Sequence, residues 1–455
     1  MPEARSPART PRLSGQTLAA VDAALDPIDQ HRMRDFPGDA AGRAPVHTVY
    51  VPADRVKVGL SAAWGAAALA AVEEHAPDAS RMADILRIDP ALLSDVWELV
   101  LAKLSSEPIE DLRVDAEDGY RGTSAAEDAD ILAAAAAVAA DVGTGNAPPF
   151  LGLRAKCLEG TVRARGLRSL DLFLGELVDG IGGPTGLDGI DLRITLPKIT
   201  DVAQVGAMTA VLDALETAYG FAPGRLGLEL QVETPQAVLG ADGRATLAPM
   251  VRAAGARCRG LHYGTYDYSA SLGIAAAHQA SDHPAADHAK ATMQVAVAGT
   301  RADAVDGSTN ILPVGSRDEV HAAWRVHAGL VRRALERGFY QGWDLHPAQL
   351  VTRYVATYAF FRQAMPAAAG RLRAYVAQVD GGILDEPATA KALASVLIRD
   401  WTVAHSRSPR SARPPTWIAP PWTPSPAALP RRSAAPEVEP VPARTETCGL
   451  HNVHG

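Results

Sequence analysis

The stretch CRGLHYGTYD, residues 258–267, has the pattern of a buried strand that runs into an acidic residue. Its first part is short and β-rich, and Asp267 then follows between two tyrosines. A carboxylate at the end of an apolar strand is costly to bury unless a partner offsets its charge. The stretch therefore predicts that Asp267 binds a cation or another positively charged group.

Runs of the same kind recur through the middle of the chain. They are rich in apolar or β-branched residues and mostly lack polar alternation, which is typical of strands buried on both faces. The eight predicted strands cover residues 46–51, 112–117, 150–155, 192–198, 225–233, 258–267, 302–307 and 342–347.

Helical patterns separate these strands. The segment 201–220 begins at Asp201, a good N-cap, and ends at Gly220, and the segment 316–338 has the same kind of start and stop signals. Eight strands with intervening helices predict an α/β fold, a (β/α)8 TIM barrel. A doubly wound sheet is the alternative, but it would need a Gly-rich phosphate loop after the first strand, and YVPADRV is not one.

Four segments follow from this pattern. Residues 1–45 form an N-terminal extension, predicted to be partly disordered, and residues 46–365 form the barrel. Residues 366–405 are predicted to form C-terminal helices, and residues 406–455 a Pro/Arg-rich disordered tail.

Composition excludes several classes of protein. The chain has 455 residues, a formal net charge of -8 and a pI of about 5.9, which argues against a nucleic-acid partner. Its cysteines, Cys157, Cys258 and Cys448, are far apart and odd in number, so we expect a reducing compartment and no disulfide framework. The N-terminus has no secretory pattern, and the longest apolar tract, 131–143, is too short to span a bilayer. We expect a cytoplasmic protein with no membrane partner.

Ionisable side chains follow nearly every predicted strand. Chemistry in such barrels collects at the carboxyl ends of the strands, so these side chains are candidates for one active site. They are Asp115, Glu117, Asp118, Arg154, Lys198, Glu233, Asp267, Asp306 and His346.

Glu233 and Asp267 form the most informative pair. They are about one β-loop-α unit apart, and on adjacent parallel strands they would face the same mouth. Two nearby carboxylates repel unless they share a cation or a proton. Mg²⁺ commonly takes one or two carboxylates and leaves other positions to water and substrate, so the pair predicts a metal site. The alternative is a pair of ordinary loop-facing acids.

The remaining strand-end residues suggest catalytic roles. The planar fork of Arg154 suits a carboxylate or an enolate oxygen next to a metal. Asp115, Glu117 and Asp118, in the stretch VDAEDG, are predicted to face the mouth and to order metal-bound waters. Alternatively, Arg154 makes an ordinary strand-end salt bridge and the three acids form a solvated loop.

Four further residues have predicted roles near the same mouth. His346 precedes a proline and is a candidate catalytic residue, although a lone histidine is more often structural. Lys198 either pairs with the acids or closes the site. Gly264 and Thr265, directly before Asp267, are predicted to bind substrate.

Together these stretches resemble the HpcH/HpaI aldolase and citrate lyase β-subunit superfamily. The resemblance runs from about Val46 to Arg362 through VYVPADR, VDAEDG, LPKITDVAQV, QVETPQA, YDYSASLG and DLHPAQL. Glu233 and Asp267 fall where that family carries its metal-binding acids. Arg154 falls where it carries its substrate-binding arginine, although the flank LRAK departs from the family's usual RVN.

The resemblance implies an activity, a cofactor and an assembly. The expected protein is a carbon–carbon lyase dependent on Mg²⁺ or Mn²⁺, which acts through a metal-stabilised enolate. Its expected substrate is a 2-oxo or 3-hydroxy acid or its CoA thioester, and the expected assembly is a homo-oligomer, trimer or hexamer. A metal-bound water, an acid of the 115–118 cluster or His346 could be the base. Two alternatives stay open: a malate synthase-like condensing enzyme, since GTYDYSAS also resembles that family, and a non-catalytic barrel with a scaffold or regulatory role.

Overall fold

The computed structural model describes residues 12–38, 40, 42–377, 389, 393 and 394. Of the predicted C-terminal helices over 366–405, the residues after 377, apart from 389, 393 and 394, lie outside this part of the chain, as does the predicted tail over 406–455.

Eight parallel strands form one sheet in the order β7-β6-β5-β4-β3-β2-β1-β8. They are β1 His47–Pro52, β2 Asp111–Asp115, β3 Phe150–Arg154, β4 Asp191–Leu196, β5 Gly227–Val232, β6 Cys258–Tyr263, β7 Asp303–Val305 and β8 Gly342–Asp344.

The sheet curves round until its two ends meet. Just beyond β7, the backbone N–H of Asp306 donates to the carbonyl of Gln341, at 2.9 Å, directly before β8. The eight strands therefore form a nearly closed barrel, which confirms the predicted (β/α)8 fold. A doubly wound sheet, whose strand order reverses at its middle, does not have this sequential order.

Helices cover the outside of the barrel. Within the described ranges the α-helices are α1 Gly15–Asp35, α2 Leu60–His75, α3 Ala79–Leu86, α4 Pro90–Ser106, α5 Glu127–Gly143, α6 Arg163–Gly180, α7 Val202–Tyr219, α8 Pro235–Val238, α9 Leu247–Ala254, α10 Thr265–Ser271, α11 Pro284–Val297, α12 Arg317–Glu336 and α13 Pro347–Ala377. Short 3-10 helices cover Ala53–Arg55, Pro184–Leu187, Gly255–Arg257 and Ala276–His278.

The helix signals in the sequence locate two of these helices well. Helix α7 begins with a capping box between Asp201 and Gln204 and ends at Gly220, whose φ of 74° is the left-handed conformation that glycine adopts easily. Helix α12 begins with a capping box between Ser316 and Glu319.

The predicted strand over 258–267 is too long. Strand β6 ends at Tyr263, and Asp267 lies in the first turn of helix α10. The predicted strand ran on to Asp267, but the helix begins directly after Gly264, its N-cap residue. An acidic residue in the first helical turn is favoured by the helix dipole. Asp267 thus reaches the barrel mouth from a helix rather than from a strand end.

The strands also alternate more than the sequence suggested. Alternate residues of a strand share a face, and on β2 and β5 one face carries charges. Arg113 Nη2 donates to Asp111 and to Glu229, each at 2.9 Å, and all three side chains are fully buried. Such charges are tolerated inside only when they are paired. The interior of the barrel therefore contains paired charges below the strand ends that form the mouth.

Two helices lie in or across the predicted segments, whose boundaries stay predictions. Helix α1 lies within the N-terminal extension. Helix α13 runs from Pro347 to Ala377, with Pro366 inside it, and so extends past residue 365.

Candidate active site

A buried ion pair forms one side of the barrel mouth. Asp115 and Arg154 are the last residues of β2 and β3 and lie opposite each other in register. Arg154 donates from Nε and Nη2 to the two carboxylate oxygens of Asp115, at 2.7 and 2.6 Å. The same carboxylate accepts the backbone N–H groups of Glu117 and Gly119, at 3.0 and 2.8 Å. Four donors therefore hold Asp115, and its carboxylate fixes the direction of the arginine.

Aromatic rings support Arg154 from the side. The guanidinium carbon lies 4.7 Å from the centroid of the Tyr50 ring and 6.0 Å from that of Trp343. Nη1 lies 3.4 Å from Gln231 Oε1 and 3.9 Å from Glu117 Oε2. Sequence reasoning missed these three neighbours. The period of two in VYVP and LQVE puts Tyr50 and Gln231 on inward faces, and this signal could have found those two.

Glu233 lies on the other side of the mouth, directly after β5. Its side chain is buried, and it accepts the backbone N–H of Lys198, at 2.7 Å, and the amide of Gln231. Burial raises the pKa of Glu233 to about 8, and the charges of Lys198 and Arg154 offset this effect only in part. A further positive charge next to this carboxyl would stabilise its ionised form.

Gly264 makes room for that carboxyl. A Cβ at Gly264 would lie 2.5 Å from both Cβ and Oε2 of Glu233. Thr265, the next residue, directs its hydroxyl to the carbonyl of Ser308, at 3.2 Å. The predicted substrate-binding roles of Gly264 and Thr265 stay predictions, and the structure gives each a local structural task.

Lys198 connects the acidic residues of the mouth. Its Nζ lies 3.0 Å from Glu117 Oε1, 2.5 Å from Asp118 Oδ2 and 3.4 Å from Asp267 Oδ2. Its backbone has a φ of 50°, a left-handed conformation that is uncommon for residues other than glycine. The sequence placed Lys198 near the acids, but it did not indicate that one ammonium contacts three of them.

The charges of the acid cluster do not balance. Burial raises the pKa of Glu117 to about 7 and raises the pKa of Asp267, where Asp118 adds to the effect. Burial also acts to raise the pKa of Asp118, but hydrogen bonds from Lys198 and within the cluster hold it below its usual value. Glu117, Asp118, Glu233 and Asp267 therefore face the ammonium of Lys198. The guanidinium of Arg154 pairs closely with Asp115, at 2.6 Å, and lies 3.9 Å from Glu117.

Two predicted residues have other partners. His346 Nδ1 accepts the backbone N–H of Ala348, at 3.2 Å, at the start of α13, and burial lowers the pKa of His346. Within the described ranges, no hydrogen bond or ion pair joins His346 to the acid cluster. Asp306 pairs with the buried Lys290, at 2.9 Å.

The donor set of the mouth fits a hard divalent cation. Glu233 and Asp267 offer only oxygen ligands, which Mg²⁺ and Mn²⁺ accept. In the part of the chain that the structure describes, no three His, Cys, Asp or Glu side chains form a metal-ligand group. Two carboxylates with the remaining positions open to water and substrate suit Mg²⁺ better than Zn²⁺, whose sites use three or four protein ligands.

The chain is thus a (β/α)8 barrel with an acid-rich mouth at the carboxyl ends of its strands. A family model described as a domain of unknown function, DUF6986, matches residues 25–405, and the chain belongs to this family. No curated protein matches the chain.

Solved structures that resemble the chain include a citrate lyase, the protein CitE and a malate synthase. A citrate lyase from Burkholderia xenovorans LB400 is 20% identical, covers 84% of this chain and 97% of its own, and superposes with a TM-score of 0.51. The protein CitE from Mycobacterium tuberculosis is 18% identical, with 79% and 98% covered and a TM-score of 0.46. Malate synthase from Haloferax volcanii is 13% identical, with 78% and 97% covered and a TM-score of 0.45. At these identities the likeness to the Burkholderia protein supports the barrel fold alone.

None of the helices in the described ranges combines the length and the apolar character that crossing a membrane requires.

Proposed function

We propose that this protein is a divalent-metal-dependent carbon–carbon lyase that acts on a 2-oxo or 3-hydroxy acid or on its CoA thioester. The observation that carries the proposal is the excess of carboxylates at the barrel mouth beside the fixed guanidinium of Arg154. Four acids there face one ammonium. Such a site suits a metal ion together with an anionic substrate.

Glu233 and Asp267 would hold the ion, Mg²⁺ or Mn²⁺. When bound, the ion supplies positive charge next to the substrate oxygen on which negative charge develops during carbon–carbon cleavage. Because Glu233 is buried, little water would screen the charge of the ion. The attraction between the ion and the substrate oxygen would therefore be stronger.

Arg154 orients the substrate. Asp115 occupies Nε and Nη2, and the rings of Tyr50 and Trp343 support the guanidinium from the side. Nη1 has two longer contacts, 3.4 Å to Gln231 Oε1 and 3.9 Å to Glu117 Oε2, so it can donate to a substrate carboxylate or carbonyl oxygen. Because the donor is already fixed, binding requires little reorganisation.

Among the candidate bases, Glu117 fits best. Its pKa of about 7 places it where a general base works near neutral pH. Asp115 is held by four donors, and His346 contacts the start of α13 instead of the cluster. We propose that Glu117 takes the proton from the substrate hydroxyl.

A substrate panel tests the proposal. Purified protein with Mg²⁺ is incubated with 4-hydroxy-2-oxo acids and with 3-hydroxyacyl-CoA thioesters, and release of pyruvate or acetyl-CoA is measured. We expect turnover by the wild type and none by Glu233→Ala. Release of free CoA only with glyoxylate and acetyl-CoA would identify a condensing enzyme instead. No turnover together with no uptake of oxalate in Mg²⁺ would favour the non-catalytic barrel.

The protein is further proposed to be cytoplasmic and to assemble into a homo-oligomer, a trimer or a hexamer. Light scattering coupled to size-exclusion chromatography tests the assembly. A mass of about 47.7 kDa, that of one chain, would contradict it.

A further inference from the structure

Lys198 occupies the centre of the acid cluster. Its ammonium contacts one oxygen from each of Glu117, Asp118 and Asp267, at 3.0, 2.5 and 3.4 Å. Its own backbone N–H donates to Glu233. One residue therefore contacts both proposed metal ligands, one through its ammonium and the other through its backbone.

The backbone of Lys198 is held in an unfavourable conformation. A φ of 50° in a residue with a Cβ is strained, and such a conformation persists only where surrounding contacts hold it. The contacts here are those to the acids. The side chain is 24% exposed, so a flexible four-carbon stem has a route to solvent.

We propose that Lys198 is an internal counter-cation, which balances the acid cluster in the metal-free protein and leaves it when a divalent ion binds. This inference rests on the proposed metal site. An ammonium in contact with Asp267 and a divalent ion bound to Asp267 would repel each other at short range. Binding of the ion therefore includes the release of Lys198 from Asp267.

Two consequences follow from this exchange. Lys198 opposes the ion, so a neutral residue at this position should strengthen binding of Mg²⁺. The released amine should also become more accessible to solvent in the presence of Mg²⁺.

The first consequence is tested with Mg²⁺ alone, by isothermal titration calorimetry. Lys198→Asn removes the charge, and asparagine tolerates the left-handed backbone better than most residues. Lys198→Arg is the matched control, because it keeps the charge and the same backbone demand. We expect Lys198→Asn to bind Mg²⁺ about tenfold more tightly than the wild type, equivalent to ~1.4 kcal/mol. Lys198→Arg should stay close to the wild type.

The second consequence is tested on the wild type, so it does not depend on the folding of a variant. The protein is pulse-acetylated with and without Mg²⁺, and mass spectrometry measures labelling at each lysine. We expect a several-fold rise at Lys198. The exposed Lys57 and the buried Lys290 serve as references whose labelling should not change.

The outcomes separate this inference from the metal site itself. Binding of Mg²⁺ by the wild type with no gain in Lys198→Asn and no rise in labelling would overturn the role of Lys198 and leave the metal site standing. Binding by Lys198→Asn but not by the wild type would support the inference strongly. No binding by any of the three proteins would overturn both.

Discussion

Replacing Glu233 with glutamine should stabilise the metal-free protein above neutral pH. The carboxyl is 1% exposed, and its folded pKa of about 8 lies above its ordinary value of 4.5. Between these two values the unfolded chain has released this proton and the folded protein still holds it. The free energy of unfolding of the metal-free wild type should therefore fall as the pH rises from about 4.5 to about 8.

The size of the effect follows from the shift. A pKa of about 8 in place of 4.5 sets a ceiling of ~5 kcal/mol, because each tenfold change in proton affinity corresponds to ~1.4 kcal/mol. Lys198 and Gln231 can reorganise around the ionised carboxylate, so we expect a few kcal/mol. Glutamine keeps the shape of the side chain, and its amide oxygen can still accept from the backbone N–H of Lys198. Its amide nitrogen would replace the oxygen that accepts from Gln231, so that one hydrogen bond is lost.

The assay is urea unfolding in a chelator at pH 5.5 and pH 8.5. We expect the wild type to lose stability between these values and Glu233→Gln to lose much less. Glu98→Gln, at an exposed position of α4, is the matched control and should follow the wild type. Equal pH dependence in the wild type and Glu233→Gln would refute the assignment of a buried carboxyl with a raised pKa.

Three further predictions concern the frame of the site. Gly264→Ala should place its Cβ 2.5 Å from atoms of Glu233 and lower the free energy of unfolding by about 1–3 kcal/mol. Calorimetry should show Mg²⁺ binding weakened at least about tenfold, and unchanged affinity would contradict the close packing. Asp115→Asn should leave the buried charge of Arg154 poorly paired, cost about 3–5 kcal/mol in denaturant unfolding and raise KM for an acidic substrate, so a wild-type KM would argue against Arg154 as the substrate anchor. Asp344 pairs with Arg353 in the interior at 3.0 Å, and hydrogen bonds and charges around it hold its pKa well below its usual value against the effect of burial. The ionised Asp344 therefore stabilises the fold fully above the usual carboxyl pKa, and this contribution is lost as the pH falls through the folded pKa. Differential scanning calorimetry should show that Asp344→Asn lowers the melting temperature more at pH 7 than at pH 3.

The barrel could be predicted because its strands and helices follow strong local signals. Capping residues and a terminal glycine located α7, and apolar runs located all eight strands. The ends of the strands were harder. Tyrosines favour strands in general, yet the residues from Thr265 to Ser271 form helix α10. The local sequence pattern does not show where a strand ends and the following helix begins.

The sequence could predict that the acids lie at one mouth of the barrel, but it could not predict which residues contact them. Glu233 and Asp267 could be proposed because both follow strands that had to open onto the same mouth. The left-handed backbone of Lys198 and the contacts of its ammonium depend on where three other segments bring their carboxylates. The charges inside the barrel were missed for a related reason. Arg113 and Glu229 sit in runs that read as apolar, and only the period of two reveals their common inward face.

Calorimetric titration of the metal-free protein with Mg²⁺, followed by oxalate, tests the central claim most directly. A chelator removes bound metal first and is then dialysed away. The wild type should bind one Mg²⁺ per chain, and oxalate should bind only after the metal. Glu233→Gln and Asp267→Asn should each lose Mg²⁺ affinity at least about tenfold, because each removes one of two ligand charges. Equal Mg²⁺ affinity in the wild type and both variants would contradict the proposed metal site.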